Sequence, residues 1–278
     1  MLKLVASAQT DRGRIREVNE DTVWAEVHHT NDNKPIGLFS ICDGMGGHMG
    51  GKYASYWATE AIKHVFAELF FSEDPRETSL LTKEEREIIH NRNHAINEAD
   101  LSDIERLVHS AILTANRVVY EYAQHKPNQA ANAGTTISML FIYDDQAIVA
   151  NVGDSRTYLI RNHNLEQISK DHSLVARLVA TGQILPDEVY THPHRNIIFR
   201  FIGQQELEEV DIYHCNLQTG DRFLLCSDGL WEMISSDQEI VNIIETAENT
   251  QRACQSLIEA ANLAGGEDNI GVVVGQII

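Results

Sequence analysis

Apolar residues occur along the chain in two patterns, short continuous runs and longer stripes with helical spacing. The run 36–42 is almost wholly apolar and leads into a glycine-rich segment, which is typical of a strand buried on both faces. The segments 136–143 and 147–152 flank the turn residues Asp144 and Asp145, a pattern that predicts a β-hairpin. Further strands are predicted over 3–9, 22–27, 157–161, 210–217, 222–226 and 269–278.

Helical patterns lie between groups of these strands. An apolar residue recurs at each turn after residue 50, at Tyr53, Trp57, Ala61, Val65 and Leu69. A second apolar stripe over 107–122 predicts another long helix. Shorter helices are predicted over 172–181, where Gly182 would end the helix, after Ser236, and over 251–263.

The order of these elements favours antiparallel sheets. Helices are inserted between groups of strands, so the strict alternation of a doubly wound parallel sheet is absent. We therefore expect an α+β protein whose helices pack outside antiparallel sheets. The segment 72–100 is polar and charged, and it is expected to be an insertion.

The charge balance changes the picture of possible partners. The chain has 278 residues, with 41 acidic and 22 basic side chains and a net charge of −19. Such a chain repels phosphate backbones, so nucleic acid is not expected as a partner. An acidic protein that acts on phosphate groups needs cations to offset its own field.

Cysteines and hydropathy indicate the compartment. The four cysteines are far apart and form no CxxC pair, so buried free thiols in a reducing compartment are expected. Neither a signal-peptide pattern nor an apolar run of membrane-spanning length is evident. These observations predict a cytoplasmic protein without a membrane partner.

Aspartates recur beside glycines at the ends of predicted strands. They are Asp43 before Gly44, Asp154 after Gly153, Asp228 before Gly229, and Asp268 after Gly265 and Gly266. A single Asp-Gly pair predicts only a turn. Several at strand ends can converge on one rim, where clustered carboxylates need a cation. All-oxygen ligands select hard ions such as Mg²⁺ or Mn²⁺, so a site for two such ions is predicted.

The motifs as a set resemble those of bacterial metal-dependent serine/threonine protein phosphatases of type 2C. They follow the family order over about the whole chain. The matching segments are 10–21 (TDRGRIREVNED), 43–48 (DGMGGH), 134–136 (GTT), 151–156 (NVGDSR), 171–173 (DHS), 227–230 (SDGL) and 265–269 (GGEDN).

The resemblance implies two core ions, Mn²⁺ or Mg²⁺, and a ligand set for them. Asp43 would bridge the two ions, and the Gly44 carbonyl would bind one of them. Asp228 and Asp268 would hold the other ion.

The resemblance also implies roles around this core. Glu20 and Asp21 would act mainly through metal-bound water. Arg16 would grip the substrate phosphate with its planar guanidinium fork, a geometry that lysine does not offer. Asp154, together with Asp228, resembles the ligands of a weaker third metal site.

The proton donor is left open by the sequence. Met45 stands where animal members of the family have a histidine that is often assigned as general acid. His48 is a candidate for proton transfer or, equally, for loop stabilisation, and we expect a metal-bound water to protonate the leaving oxygen. Asp171 and His172 are expected to cap the next helix.

The predicted fold is one domain over residues 1–278, a four-layer α-β-β-α sandwich. Two antiparallel sheets would carry helices on both outer faces, and a flap over about 173–203 would lie beside the site. The predicted reaction is hydrolysis of phosphoserine or phosphothreonine in proteins by a hydroxide that bridges two metals, without a phosphoenzyme. A monomer that counteracts a Ser/Thr protein kinase is expected. The alternatives are a partner-switching phosphatase for one anti-sigma-type antagonist, or a binding pseudophosphatase.

Overall fold

Two antiparallel sheets form the centre of the protein in a computed structural model that describes residues 2–30, 34–46, 49–70, 101–130, 132–207 and 209–278. The first sheet has the strand order β1-β11-β10-β7-β8, and the second has the order β2-β3-β5-β6-β9 with β4 paired to β3. The strands are β1 Leu4–Asp11, β2 Asp21–His29, β3 Pro35–Met45, β4 Gly134–Thr135, β5 Ile137–Tyr143, β6 Gln146–Val152, β7 Arg156–Arg161, β8 Asn164–Gln167, β9 Asp211–Asn216, β10 Arg222–Cys226 and β11 Ile270–Ile277.

Helices occupy the connections between these strands. They are α1 Gly50–Phe70, α2 Leu101–His125, α3 Pro127–Ala130, α4 Leu174–Ala180, α5 Asp228–Trp231, α6 Asp237–Thr246 and α7 Thr250–Ala264, together with a 3₁₀ helix Pro186–Thr191. Ser236 caps α6 by accepting a hydrogen bond from the Glu239 amide, as its place in the sequence predicts. None of the helices that the structure describes is both long and apolar enough to cross a bilayer.

Alternation along each central strand divides the core into three layers. In β5, Met139 and Phe141 pack on the α1 and α2 side, whereas Leu140 and Ile142 point between the two sheets. Because successive side chains of a strand point to opposite faces, a strand covered on both sides is apolar throughout. This explains why these segments appear in the sequence as continuous apolar runs.

The outer layers of the core lie beneath the helices. α1 and α2 cover the second sheet, and α5, α6 and α7 cover the first sheet. Between the sheets, the rings of Phe39 and Phe223 meet with their centroids 4.8 Å apart. Such an aromatic pair contributes about 0.5–1.5 kcal/mol beyond its area burial. The α-β-β-α sandwich predicted from the sequence is confirmed.

The structure corrects the sequence predictions at several places. Strand β3 continues through Asp43 and Gly44 to Met45, where a glycine-rich turn was expected, because Gly44 and Met45 pair with β4. The strand β8 and the short helix α5 were not predicted. Cys42, Cys226 and Cys254 are free and buried, as expected. The insertion 72–100 and His48 lie outside the described residues.

The sequence predicted that Asp171 and His172 cap α4, and this prediction was wrong. Ser173 is the capping residue, and its hydroxyl accepts a hydrogen bond from the Ala176 amide. Asp171 instead forms a buried ion pair with Arg156 of β7, with Oδ2 and Nη2 2.7 Å apart. The Arg156 guanidinium also lies 3.6 Å from the ring centroid of Trp231.

We expect Asp171→Asn to lower the free energy of unfolding by about 3–5 kcal/mol, because it leaves the buried Arg156 charge without its partner. The matched control is Glu259→Gln, which breaks the exposed Arg252–Glu259 pair and should cost less than about 1 kcal/mol. Urea unfolding of both variants measures the difference. Equal losses in the two variants would contradict a special role for the buried pair.

Candidate metal centre and phosphate site

Carboxylates from both sheets meet at one end of the sandwich. Asp21 begins β2 and lies directly opposite Asp43 of β3 in the strand register. Asp228 begins α5 directly after β10, and Asp268 stands just before β11, the strand paired with β10. Asp154 follows the end of β6. The structure therefore places these sequence-predicted residues together, as expected of side chains at converging strand ends.

The electrostatics of the site reflect this crowding. Burial, followed by the charges of Asp21, Asp228 and Asp154, raises the pKa of Asp43 well above its usual range. Burial and the neighbouring Asp154 and Asp268 do the same for the pKa of Asp228. Burial raises the pKa of Asp21 to about 7. Such groups favour a nearby cation, because ionised carboxylates without one repel each other in a desolvated site.

Two carboxylate oxygens at this centre are buried without any hydrogen-bond partner, Oδ1 of Asp21 and Oδ1 of Asp228. The other oxygen of Asp21 accepts a hydrogen bond of 2.6 Å from the Ser227 hydroxyl. Buried polar atoms without partners are rare, and an absent ion is one explanation for them. Among the described residues, no group of three or more His, Cys, Asp or Glu side chains has the spacing of a preformed metal site. The fit to hard cations therefore rests on the oxygen donors and these two unpartnered atoms.

Glycine at position 44 lets the chain cross the start of α1 at close range. A Cβ on Gly44 would stand 2.2 Å from the carbonyl oxygen of Gly51, far inside van der Waals contact. Gly229 is equally constrained, because its Cβ would stand 2.0 Å from the Asn269 carbonyl oxygen. Both glycines directly follow candidate metal ligands, so they permit close backbone packing around the carboxylates.

Two threonines hold the backbone of Asp43. Thr136 Oγ1 accepts a hydrogen bond of 3.1 Å from the Asp43 amide, and Thr135 Oγ1 donates one of 2.8 Å to the Asp43 carbonyl. Thr136 also shares a hydrogen bond of 2.7 Å with Ser155, the residue after Asp154. These threonines were not predicted to have a functional role. In the sequence, only their position after Gly134, in a motif that resembles one of the family, indicates such a role.

Asn269 ties the loop that carries Arg16 to the metal-ligand loop. Its Oδ1 accepts from the Glu20 amide at 2.8 Å, and its Nδ2 donates to the carbonyl oxygens of Arg12 and Val18, each at 2.9 Å. This residue was not predicted as functional. Its signal in the sequence is its place directly after Asp268.

Arg16 points toward the carboxylates. Its Nη2 lies 2.5 Å from Oδ2 of Asp268, and half of its side chain is exposed. Glu20 lies beside it, with Oε1 accepting from the Lys52 amide at 3.3 Å, and burial raises the pKa of Glu20. An exposed guanidinium offers two parallel hydrogen-bond donors to a phosphate group, and the neighbouring carboxylates would repel that group unless cations offset their charge.

The loop of Asp154 is fixed by an indole and an imidazole. Trp231 Nε1 donates to the Asp154 carbonyl at 3.1 Å, and the Gly153 amide donates to His172 Nδ1 at 3.0 Å. Burial, followed by the charge of Asp171, raises the pKa of Asp154 to about 7. Asp154 is therefore held beside Asp228 by its backbone, while its carboxyl group lies in a desolvated environment.

The segment 173–203 packs beside this centre through Arg195. Arg195 Nε donates to Glu232 at 3.1 Å, and its Nη2 lies 3.5 Å from Glu267, the residue before Asp268. The 173–203 segment thus contacts the loop that carries a candidate metal ligand.

Comparisons with known proteins identify the family of this chain. Residues 14–264 match the family model described as Protein phosphatase 2C. The chain is 36% identical over 269 residues to the serine/threonine phosphatase stp of Listeria monocytogenes, covering 97% of this chain and 94% of that protein. It superposes on the S. agalactiae serine/threonine phosphatase with a TM-score of 0.78 at 30% identity, covering 99% of each chain.

One of the solved structures with a similar fold contains metal ions. The catalytic domain of the serine/threonine protein phosphatase PstP in complex with two manganese ions has a TM-score of 0.76 and 29% identity, with all of each chain covered. The chain therefore belongs to the protein phosphatase 2C family and is a protein serine/threonine phosphatase of the bacterial type.

Proposed function

We propose that this phosphatase hydrolyses phosphoserine and phosphothreonine in proteins with two core Mn²⁺ or Mg²⁺ ions. The observation that carries the proposal is the set of buried carboxylates with unpartnered oxygens beside the exposed guanidinium of Arg16. The residues that would hold the ions directly or through water are Asp43, the Gly44 carbonyl, Asp228, Asp268, Glu20 and Asp21.

Bound ions would supply the chemistry that the side chains here lack, since divalent cations can lower the pKa of water and offset charge on phosphoryl oxygens. The chain's own residues bind and orient. Arg16 binds two phosphate oxygens with its fork, and Asn269 fixes the loop on which Arg16 stands. Thr135 and Thr136 hold the Asp43 backbone, so its carboxylate keeps its direction.

Asp154 is proposed as a ligand of a weaker third ion that it shares with Asp228. This proposal is supported by the burial of Asp154 and by its charge interaction with Asp228. A cation held there is suited to aid protonation of the leaving oxygen, a role for which Met45 offers no group.

We propose further that residues 1–278 act as one catalytic domain and that the 173–203 segment is a flap. The contacts of Arg195 with Glu232 and Glu267 support the second point. The enzyme would act as a monomer on proteins phosphorylated by a Ser/Thr kinase. No observation favours the partner-switching or pseudophosphatase alternatives.

Chelator-treated protein is expected to lose hydrolysis of a phosphothreonine peptide and to regain it with millimolar Mn²⁺ or Mg²⁺.

Asp43→Asn should lower kcat more than tenfold, a barrier change of about 1.4 kcal/mol or more. Asp154→Asn should lose only the weakest ion in titration calorimetry. The control Asp145→Asn alters an exposed hairpin carboxylate and should behave as wild type. Full activity in chelator would overturn the two-metal proposal.

Arg16→Ala is expected to raise KM for the same peptide about tenfold or more at saturating metal, because hydrogen bonds to charged groups contribute about 1.5–3 kcal/mol. Arg16→Lys should recover little of this, since lysine binds as a point charge. The control is Arg12→Ala, which removes an exposed guanidinium of the same loop that donates to the Glu17 carbonyl at 3.4 Å. An unchanged KM with a large loss of kcat would exclude a phosphate-binding role for Arg16.

The metal-free protein should become less stable as pH rises from about 4 to about 7, the range between the unfolded and folded pKa values of Asp21. The folded-state pKa of Asp21 is raised to about 7, so the folded state holds that proton more tightly and loses this advantage as pH rises through 7. Denaturant unfolding in chelator should show the loss, at most a few kcal/mol, and Asp21→Asn should reduce its slope. A parallel pH dependence in both proteins would show that Asp21 keeps an ordinary pKa.

A further inference from the structure

An aromatic pocket lies beside the candidate metal centre, and the catalytic proposal gives it no role. Its volume is about 350 Å³, and three of its rings come from the first two turns of α1, with a fourth from α2. The rings are Tyr53, Tyr56, Trp57 and Tyr122. Ligand-binding clefts usually measure about 300–1,000 Å³, so this pocket has room for one large side chain.

The rings form a connected wall. The centroids of Tyr53 and Tyr122 are 5.6 Å apart, those of Trp57 and Tyr122 are 6.1 Å apart, and those of Tyr56 and Trp57 are 5.3 Å apart. Trp57 and Tyr122 pack on the core beneath, which fixes the base of the wall. Tyr56 is 47% exposed. A contiguous aromatic surface of this kind, open to solvent, is typical of an interaction site.

The pocket is also lined by the segment that follows the loop of Arg16. It includes Asn19, Asp21 and Thr22, and Asn19 lies three positions after Arg16. Asn19 is fixed by hydrogen bonds with the Thr10 hydroxyl and the Asp21 amide. The pocket therefore shares Asp21 with the candidate metal centre, beside which the phosphate is proposed to bind. An extended peptide advances about 3.3–3.6 Å per residue, so a neighbouring side chain of the substrate reaches such a pocket within a few residues.

The charged side chains around the pocket determine which side chain of a substrate can bind in it. Lys52, an exposed cation, lines it and disfavours a lysine or arginine of the substrate. Asp21 contributes to the wall, but its carboxyl group accepts from Ser227 and interacts with Asp43. The remaining surface is mostly apolar and is formed largely by the four rings, with Asn19 and Thr22 beside them. The complement of this surface is an apolar side chain.

We propose that this pocket is a specificity subsite that binds an aromatic or large aliphatic side chain of the phosphoprotein substrate, a few residues from the phosphorylated one. The inference rests on the proposed function, because the phosphate must lie at Arg16 and the metal centre for the neighbouring residue to enter the pocket. Tyr56 is the specificity-determining residue, since its ring is the most exposed of the four that line the pocket.

The test compares phosphothreonine peptides with alanine flanks, in which phenylalanine or lysine replaces one alanine at each position from four before to four after the phosphothreonine. With wild-type protein and Mn²⁺, phenylalanine at one or two positions should raise kcat/KM at least fivefold over the alanine peptide, mainly through KM. Tyr56→Ala should abolish this preference, and Tyr56→Phe should keep it.

The matched control is Leu113→Ala, which removes an α2 side chain that is 40% exposed and outside the pocket. It should leave the phenylalanine preference unchanged. Equal rates for all peptides, a preference for lysine, or a phenylalanine preference that survives Tyr56→Ala would each overturn the subsite. If wild-type protein fails to hydrolyse even the alanine peptide with any metal, the proposed function fails instead, so the two results are distinguishable.

Discussion

Mutual repulsion among buried carboxylates is the constraint that organises one end of this sandwich. Desolvation and like charge raise the pKa of Asp43 and Asp228, so their ionised forms require compensation from outside the carboxylate group. The residues around Asp43 and Asp228 do not neutralise these carboxylates. They fix the backbone that carries them. Thr136 holds the Asp43 amide, and Ser227 satisfies only one oxygen of Asp21. The backbone that carries these carboxyl groups is thereby fixed, while the charge that they have when ionised is left for a cation to offset.

The centre is shared between two sheets, which links its geometry to the packing of the core. Asp21 and Asp43 belong to one sheet, whereas Asp228 and Asp268 flank strands of the other. Their separation therefore depends on the layer of side chains between the sheets, including the contact of Phe39 with Phe223. Since protein interiors are packed closely, a change of volume in that layer alters the distance between the two carboxylate pairs without touching either of them.

The sequence predicted the central strands β3, β5 and β6 well because their apolar runs are covered on both faces, and it indicated the carboxylates because each stands near a strand end. It could not predict contacts that depend on register and packing. Asp171 has local helix-capping chemistry, yet the buried guanidinium of Arg156 competes for its carboxylate and Ser173 caps the helix. The link from Thr136 to Ser155 and the meeting of Tyr53 with Tyr122 join residues far apart in the chain. No rule based on the spacing of residues along the sequence predicts such pairs.

The amide of Asn269 joins the two ends of the polypeptide, since its partner Arg12 lies 257 positions earlier. Strand β1 likewise pairs with β11 along its whole length. Contacts between such distant segments close a very long loop, so their conformational entropy cost must be met before the contacts stabilise the fold. Because residues are added in order during synthesis, the support that Asn269 gives to the loop of Arg16 is available only after residue 269 has been added.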